Sequence, residues 1–266
     1  MKDAAAYGRI LEKFKWAQQH IDNLTRLALK FRDDYPDAVV PESNESTGEV
    51  LYRVSYIPTI PSEVALTFGD ALQNLRSTLD HLACALVTAA GNNVTSQTAF
   101  PIFDTADEYW ERMARKVKGM GQSAIEAINS IQPYERGVGH ALWQLHRLNN
   151  LDKHRILLPV ACINVSRSST PSEIREFRSR FEQIHGVGSS GNVKLLVSFS
   201  NREVVPLRAG NVLFTAPVSE VNQDMKFPID MAINESEVAK GIPIINFLGF
   251  ASTEVHRIVE RMAPHL

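Results

Sequence analysis

Five leucines at helical spacing between residues 72 and 86 constrain the fold more than any other feature of the sequence. At about 100° per residue they form one continuous apolar stripe along a helix. The stripe consists of Leu72, Leu75, Leu79, Leu82 and Leu86. Pro58 and Pro61 end the preceding segment, and Ser62 follows them, which is typical of a helix start. The sequence therefore predicts a helix over residues 62–90 that buries its leucine side in a core.

Apolar residues at the same spacing predict helices elsewhere in the chain. The predicted long helices cover residues 4–31, 62–90, 139–155 and 247–263. A shorter helix is predicted to begin at Asp104 or Thr105, because Glu108 completes a capping pattern. Another short helix is predicted over 123–131. Together these helices predict a helical core centred on about 62–157.

Short apolar and β-branched runs replace the helical pattern after residue 157 and predict strands. The runs are LLPVACINV, VKLLVSFS, EVVPL, VLFTAP and MKFPIDMAI. The charged segment 172–185 between the first two is either a helix or an ordered loop. A strand over 49–57, which follows a polar surface loop from Asp33, is expected to join the later strands. The order of elements predicts a single α+β domain over 1–266, with a mostly antiparallel β-rich segment at about 158–246.

Composition and motif content exclude several classes of function. The formal net charge is −2, so a global basic field for nonspecific nucleic-acid binding is absent. Cys84 and Cys162 fit buried apolar positions better than a disulfide framework, which favours a reducing cytoplasm. Neither a secretory signal nor an apolar membrane span is expected. The histidines and aspartates lack the spacing of metal-site motifs, and serine-hydrolase and phosphate-loop motifs are absent, so no metal or cofactor is expected.

Polar residues gather on the helix over 62–90, on the side opposite the leucines. Asp70, Asn74, Ser77 and His81 form this polar stripe, and Arg76 and Asp80 lie on a shoulder between the two sides. A second polar group is predicted on the helix over 139–155, opposite its buried leucines. Its members are His146, Asn150, Lys153 and His154. We expect the two groups to face each other across a cleft.

Arg76 and His81, in the segment Arg76-Ser-Thr-Leu-Asp-His81, resemble the R-x4-6-H signature of HEPN proteins. HEPN proteins are helical and are common in bacterial defence, toxin–antitoxin and RNA-processing systems. The resemblance implies a metal-independent ribonuclease that acts as a dimer or with an antitoxin-like partner. His81 would then be the general acid or base, and Arg76 would stabilise charge on the phosphate of an RNA substrate. Asp70, Asn74 and Asp80, together with the group at 146–154, would orient the substrate.

Two blocks of the sequence resemble a second group, of bacterial and phage proteins with no known activity. The blocks are GDALQNLRSTLDHL and LWQLHRLNNLDKHR, and the likeness covers most of residues 62–157. The HEPN pattern itself also matches Arg147 with His154 and Arg180 with His185. A pattern that occurs three times in one chain selects loosely.

A noncatalytic interpretation of the same residues stands beside the ribonuclease. Arg76 and Asp80 have the i,i+4 spacing of a surface ion pair, which stabilises a helix by only about 0.2–0.5 kcal/mol. The polar stripe is then a solvated or interfacial face of a binding or oligomerisation module. The two hypotheses differ in geometry, because chemistry requires Arg76 and His81 to converge on one polar pocket.

Overall fold

The computed structural model describes residues 4–164, 195–198, 204–218, 227, 229–235 and 238–266. It confirms the predicted α+β class, with long N-terminal and C-terminal helices and small, mostly antiparallel sheets. The expected helix or loop at 172–185, and the pattern match of Arg180 with His185, lie outside the described residues. None of the described helices combines the length and apolar character that a membrane crossing needs.

The helices agree with the sequence predictions to within a few residues. They are α1 (Ala4–Asp34), α2 (Ser62–Ala89), α3 (Ala106–Lys116), α4 (Gln122–Asn129), α5 (His140–His154) and α6 (Ile244–Met262). A short 3-10 helix, Ala263–His265, follows α6. Thr105 is the N-cap of α3, because its side chain accepts a hydrogen bond from the Glu108 amide at 3.2 Å.

The strands form two small sheets. They are β1 (Val39–Asn44), β2 (Glu49–Val54), β3 (Val160–Asn164), β4 (Leu195–Ser198), β5 (Val204–Leu207), β6 (Val212–Pro217) and β7 (Ile229–Ala232). One sheet has the order β1-β2-β6 and is antiparallel throughout. The other has the order β5-β4-β3-β7, in which β3 and β4 are parallel and the other pairs are antiparallel.

Strand β1 occupies part of the segment that the sequence predicts as a loop. It pairs with β2 in register from Val39 opposite Val54 to Asn44 opposite Glu49. Its composition is polar and includes Pro41, which removes a backbone donor. Proline is tolerated because β1 is at the edge of its sheet. Gly48 supplies the positive φ of 65° in the turn that connects β1 to β2.

Contacts divide the chain into two compact units, where the sequence analysis expects one domain. The first unit contains residues Met1–Leu24, Ala65–Leu157 and Ile245–Leu266, and the second contains Thr25–Val64 and Leu158–Ile244. Sequence periodicity detects single elements, whereas this division depends on contacts between distant segments. All the residues of the candidate site belong to the first unit.

The core of the first unit is built around the leucine stripe of α2. All five leucines are at most 1% exposed, as are Leu142, Leu145 and Leu148 of α5. Fully burying a leucine contributes about 1.5–3 kcal/mol, so these two helices anchor the unit. The stripe therefore fixes which side of α2 faces inward and where its polar residues lie.

Candidate functional site

Arg76 is the centre of a buried polar network between α2 and α5. Only 7% of the residue is exposed. Its Nε donates to His146 Nδ1 at 3.2 Å, its Nη1 donates to Asp80 Oδ1 at 2.7 Å, and its Nη2 donates to the Phe100 carbonyl at 3.0 Å. Each nitrogen of the guanidinium thus has a protein acceptor. The network offsets the cost of burying a charge, which requires pairing and hydrogen bonds.

Asp80 connects the network to the segment that precedes α3. Its Oδ1 accepts both from Arg76 and from the Phe100 amide, the latter at 3.0 Å. Phe100 therefore contributes its carbonyl to Arg76 and its amide to Asp80. This pattern fixes the backbone at Phe100 to one side of α2, and the contact of Arg76 with His146 fixes α5 to the same side.

His146 is held as a neutral imidazole. Burial and the neighbouring Arg76 charge lower its pKa from an ordinary 6.5 to about 4. Arginine can only donate, so Nδ1 of His146 is the acceptor and the ring proton is on Nε2. Nε2 lies 3.0 Å from the side-chain amide of Asn150. The atom at that distance is Asn150 Nδ2, which is also a donor, so a hydrogen bond forms only with the amide turned by 180° to present its oxygen.

A second polar cluster lies beside His146 and contains Asp104. The Trp143 indole donates to Asp104 Oδ1 at 2.9 Å, and Arg147 Nη1 is 3.6 Å from Asp104 Oδ2. Asp104 also opposes the lowering of the His146 pKa. Because Arg147 is paired with Asp104 rather than with His154, the second match to the HEPN pattern does not form a joint site in the described structure.

Asp70 lies between α1 and α5 rather than facing His146. His20 Nδ1 of α1 is 4.0 Å from Asp70 Oδ2. On the α5 side is Asp152, whose pKa is raised mainly by burial and to a smaller extent by the Asp70 charge. The Asp152 carboxylate packs against Gly69, where a Cβ atom would lie 2.3 Å from Oδ2. Glycine at 69 thus makes room for the carboxylate.

His81 is exposed and is not part of the Arg76 network. The two are five positions apart in the helix, which places their side chains about 140° apart around α2. His81 instead lines a shallow depression with residues of α1 and the last turns of α2. The lining consists of Ala6, Arg9, Ile10, His81, Cys84, Ala85 and Thr88. The structure therefore does not bring the two predicted catalytic residues together.

The remaining predicted site residues are dispersed. Asn74 is buried and donates its amide to the Asp70 carbonyl of its own helix at 2.7 Å. Lys153 and His154 are exposed in the last turn of α5. Basic side chains in the last turn of a helix interact favourably with its dipole. The structure thus joins Arg76, Asp80, His146 and Asn150, and it separates the other five.

The described residues contain no group of three or more His, Cys, Asp or Glu side chains that could hold a metal ion. Three members of the network and its surroundings were missed by sequence reasoning: the Phe100 backbone, Asp104 as a partner of Trp143, and Gly69. Spacing along one helix carries no signal for such long-range contacts. The sequence predicts Asp104 only as one of two possible N-cap residues of α3. Thr105 is the N-cap in the structure.

Comparison with protein-family models, with curated proteins and with solved structures found no match.

Proposed function

We propose that the helical unit is a noncatalytic binding and assembly module. The observation that carries this proposal is that Arg76 is buried and fully hydrogen-bonded within the protein. A catalytic cation acts by direct contact with charge that develops on the substrate. Arg76 is buried, and all three of its nitrogens already donate to His146, Asp80 and Phe100. Its geometry supports a structural role that joins α2, α5 and the segment before α3.

The state of His146 supports the same conclusion. A general base works best when its pKa lies near the working pH and its acceptor nitrogen can reach the substrate. The pKa of His146 is lowered to about 4, and its acceptor nitrogen Nδ1 is occupied by Arg76. The polar network at the α2–α5 contact therefore stabilises the fold and is poorly suited to proton transfer.

The binding surface in this proposal is the outer side of α1 and α2, which we call the α1–α2 surface. It contains two large apolar side chains, Trp16 and Leu66, each 55% exposed. Polar residues of α2 lie beside them, and Gln73 donates to the Ser77 hydroxyl at 3.3 Å. Exposed aromatic residues next to polar groups are typical of protein interfaces.

Site-specific photo-crosslinking in cells tests this proposal. A benzophenone amino acid replaces Gln73 on the α1–α2 surface, and in a matched control it replaces Trp110, which is also 55% exposed but lies on α3. We expect protein-sized adducts from position 73 and none from position 110. Equal yields at both positions, or no adduct at position 73, would contradict a binding role for this surface.

A metal-independent ribonuclease is the second candidate. The observation that favours it is the depression in which Arg9 of α1 and His81 of α2 lie on facing helices. In this version His81 keeps its role as acid or base, and Arg9 supplies the cation. Incubation of RNA with purified protein in EDTA tests it. Cleavage that is lost in His81→Ala and in Arg9→Ala, at unchanged melting temperature, would support the enzyme, and uncleaved RNA favours the binding module.

A cytoplasmic location is part of the proposal. Cys84 and Cys162 are both free thiols. Free cysteines are typical of reducing compartments, which supports the cytoplasm over an oxidising environment. A toxin or defence role, and an antitoxin-like partner, depend on the ribonuclease candidate alone.

A further inference from the structure

The depression beside His81 joins apolar surface to hydrogen-bond donors. Of the described residues that line it, all are apolar except Arg9, His81, Cys84 and Thr88, and none is acidic. The Thr88 hydroxyl already donates to the Cys84 carbonyl at 3.1 Å. Burial and the Asp80 charge raise the pKa of the Cys84 thiol, so this group stays neutral. The donors that remain are the Arg9 guanidinium and the His81 imidazole, and both favour an anionic group.

The charge of Arg9 is available to a binding partner. Arg9 is exposed on α1, and within the part of the chain that the structure describes it forms no ion pair, although Glu12 is one turn away. A guanidinium can present two parallel N–H groups to one carboxylate, which gives the pair both strength and orientation. An acidic side chain that enters the depression can therefore pair with Arg9.

The size of the depression limits what it can hold. Its volume is about 190 Å³, whereas pockets that enclose a whole small molecule measure about 300–1,000 Å³. It has room for one side chain and is too small for a nucleotide. A glutamate matches the lining, because its methylene groups can lie against Ile10 and Ala85 while its carboxylate reaches Arg9.

The depression is continuous with the α1–α2 surface. His20 of α1 is 4.0 Å from Asp70 of α2. Arg9 precedes His20 by 11 residues and His81 follows Asp70 by 11 residues, so the two helices are antiparallel and border one groove. Trp16 follows Arg9 by seven residues, or two helical turns, which places it on the same side of α1 about 10 Å away. One partner can therefore contact both the depression and Trp16.

From these positions we infer that the α1–α2 surface binds an amphipathic helix of another protein, which inserts a glutamate into the depression and places an apolar residue against Trp16. The inference rests on the proposed function and names the chemistry of its partner. A helix is the form that fits a groove between two helices. Because a helix lying along α1 rises by the same amount per residue, its glutamate and its apolar residue are seven positions apart. The charge of Arg9 selects the glutamate, and Trp16, which is 55% exposed, supplies the apolar contact.

Fluorescence anisotropy with designed helical peptides tests this chemistry. One peptide has a glutamate followed seven positions later by a leucine, and a second has the two in reverse order, so that both directions along the groove are sampled. Matched peptides carry glutamine or phosphoserine in place of the glutamate. We expect one glutamate peptide to bind about fivefold or more tightly than its glutamine match, and Arg9→Gln to abolish the difference. Equal binding of the glutamate and glutamine peptides, tighter binding of phosphoserine, or no binding at all would overturn the inference.

Photo-crosslinking at position 73 separates this inference from the proposed function. Arg9→Glu reverses the charge at the depression, and Lys15→Glu is the control, because Lys15 is exposed on α1 but lies about 120° away from Arg9 around the helix. We expect the adduct yield to fall about fivefold or more in Arg9→Glu and to stay unchanged in Lys15→Glu. An unchanged yield in Arg9→Glu, or an equal fall in both variants, overturns the inference and leaves the binding module with a partner of other chemistry. If position 73 gives no adduct in any of these proteins, both proposals fall.

Discussion

Arg76 Nε of α2 donates to His146 Nδ1 of α5 at 3.2 Å, across 70 positions of sequence. This hydrogen bond determines the state of both residues. It uses the Nε–H of the guanidinium, and it forces the neutral imidazole to carry its proton on Nε2. Together with Asp80 and Phe100 it makes the α2–α5 contact polar at one point of an otherwise leucine-rich core.

The first prediction concerns the contribution of Arg76 to stability. Arg76→Met keeps side-chain length and helix propensity but leaves the Phe100 carbonyl and His146 without their donor. We expect a loss of about 2–3 kcal/mol in the free energy of unfolding, since a buried group without its partner costs about 1–3 kcal/mol. Urea denaturation of the purified protein measures it.

Arg112→Met is the matched control for this prediction. Arg112 also has an i,i+4 acidic partner, Glu108, at 3.7 Å, but it is exposed. Exposed ion pairs contribute about 0–1 kcal/mol, so we expect little change. Equal losses in the two variants would show that the buried network adds nothing beyond a surface pair.

The second prediction concerns pH. The pKa of His146 is lowered to about 4 in the folded protein, whereas an unfolded histidine titrates near 6.5. The unfolded chain therefore binds a proton on this ring more readily, so stability is lost as pH falls from about 6.5 towards 4. We expect this group to account for roughly 2 kcal/mol of that loss, less than the full shift implies because the mostly buried residue keeps some exposure to solvent.

Comparison of wild type with His146→Gln isolates this effect. The raised pKa of Asp152 acts in the opposite direction, because the folded state takes up that proton more readily, but it is common to both proteins. We expect the variant to show a shallower fall in unfolding free energy between pH 7 and pH 4.5. Parallel curves would contradict a neutral, buried His146.

The third prediction concerns the contact of Gly69 with Asp152. Alanine is about 1 kcal/mol better than glycine inside a helix, so Gly→Ala usually stabilises. At Gly69 the new Cβ would lie 2.3 Å from Asp152 Oδ2 and displace a carboxylate that accepts from the Leu157 amide. We expect Gly69→Ala to destabilise the protein by about 1 kcal/mol or more.

Gly8→Ala supplies the control for the third prediction, because nothing lies within 4 Å of its Cβ position on α1. We expect it to raise the melting temperature while Gly69→Ala lowers it. Asp152→Ala added to Gly69→Ala should restore much of the loss, as coupled neighbours do. Similar shifts for both glycines would show that the carboxylate moves aside without cost.

Sequence periodicity predicted the elements that bury apolar surface. The leucines of α2 and α5 are inside, and the Thr105 cap begins α3 as its pattern predicts. Strand β1 was missed because a polar, proline-containing segment has no alternating pattern, and its place at the sheet edge depends on pairing with β2. Local patterns describe burial well and describe pairing between distant segments poorly.

In the candidate site, too, contacts within one helix were predictable from the sequence and contacts between distant segments were not. The i,i+4 pair of Arg76 and Asp80 was visible from spacing, and helix geometry already places His81 about 140° away from Arg76. The partners across the core, His146 and Phe100, depend on how α5 and the segment before α3 pack on α2. No spacing within α2 contains that information. The sequence therefore identifies the polar residues of α2. It does not show that Arg76 belongs to a buried network and that His81 lies on an open surface.

The last prediction separates a surface ion pair from a buried network at Asp80. Its Oδ1 accepts from both Arg76 Nη1 and the Phe100 amide. Asp80→Asn keeps an acceptor oxygen and removes the charge, whereas Asp80→Ala removes both. We therefore expect the free energy of unfolding to fall by about 1 kcal/mol in the first variant and by about 2 kcal/mol in the second.

In a double-mutant cycle with Arg76→Met, a solvent-exposed i,i+4 pair would give a coupling energy of about 0.2–0.5 kcal/mol. We expect about 1 kcal/mol or more, because removing either partner also disturbs the shared contact with Phe100. A coupling energy within the surface range would mean that Asp80 and Arg76 act as an ordinary helix pair, and that burial of the guanidinium depends on His146 and the Phe100 carbonyl alone.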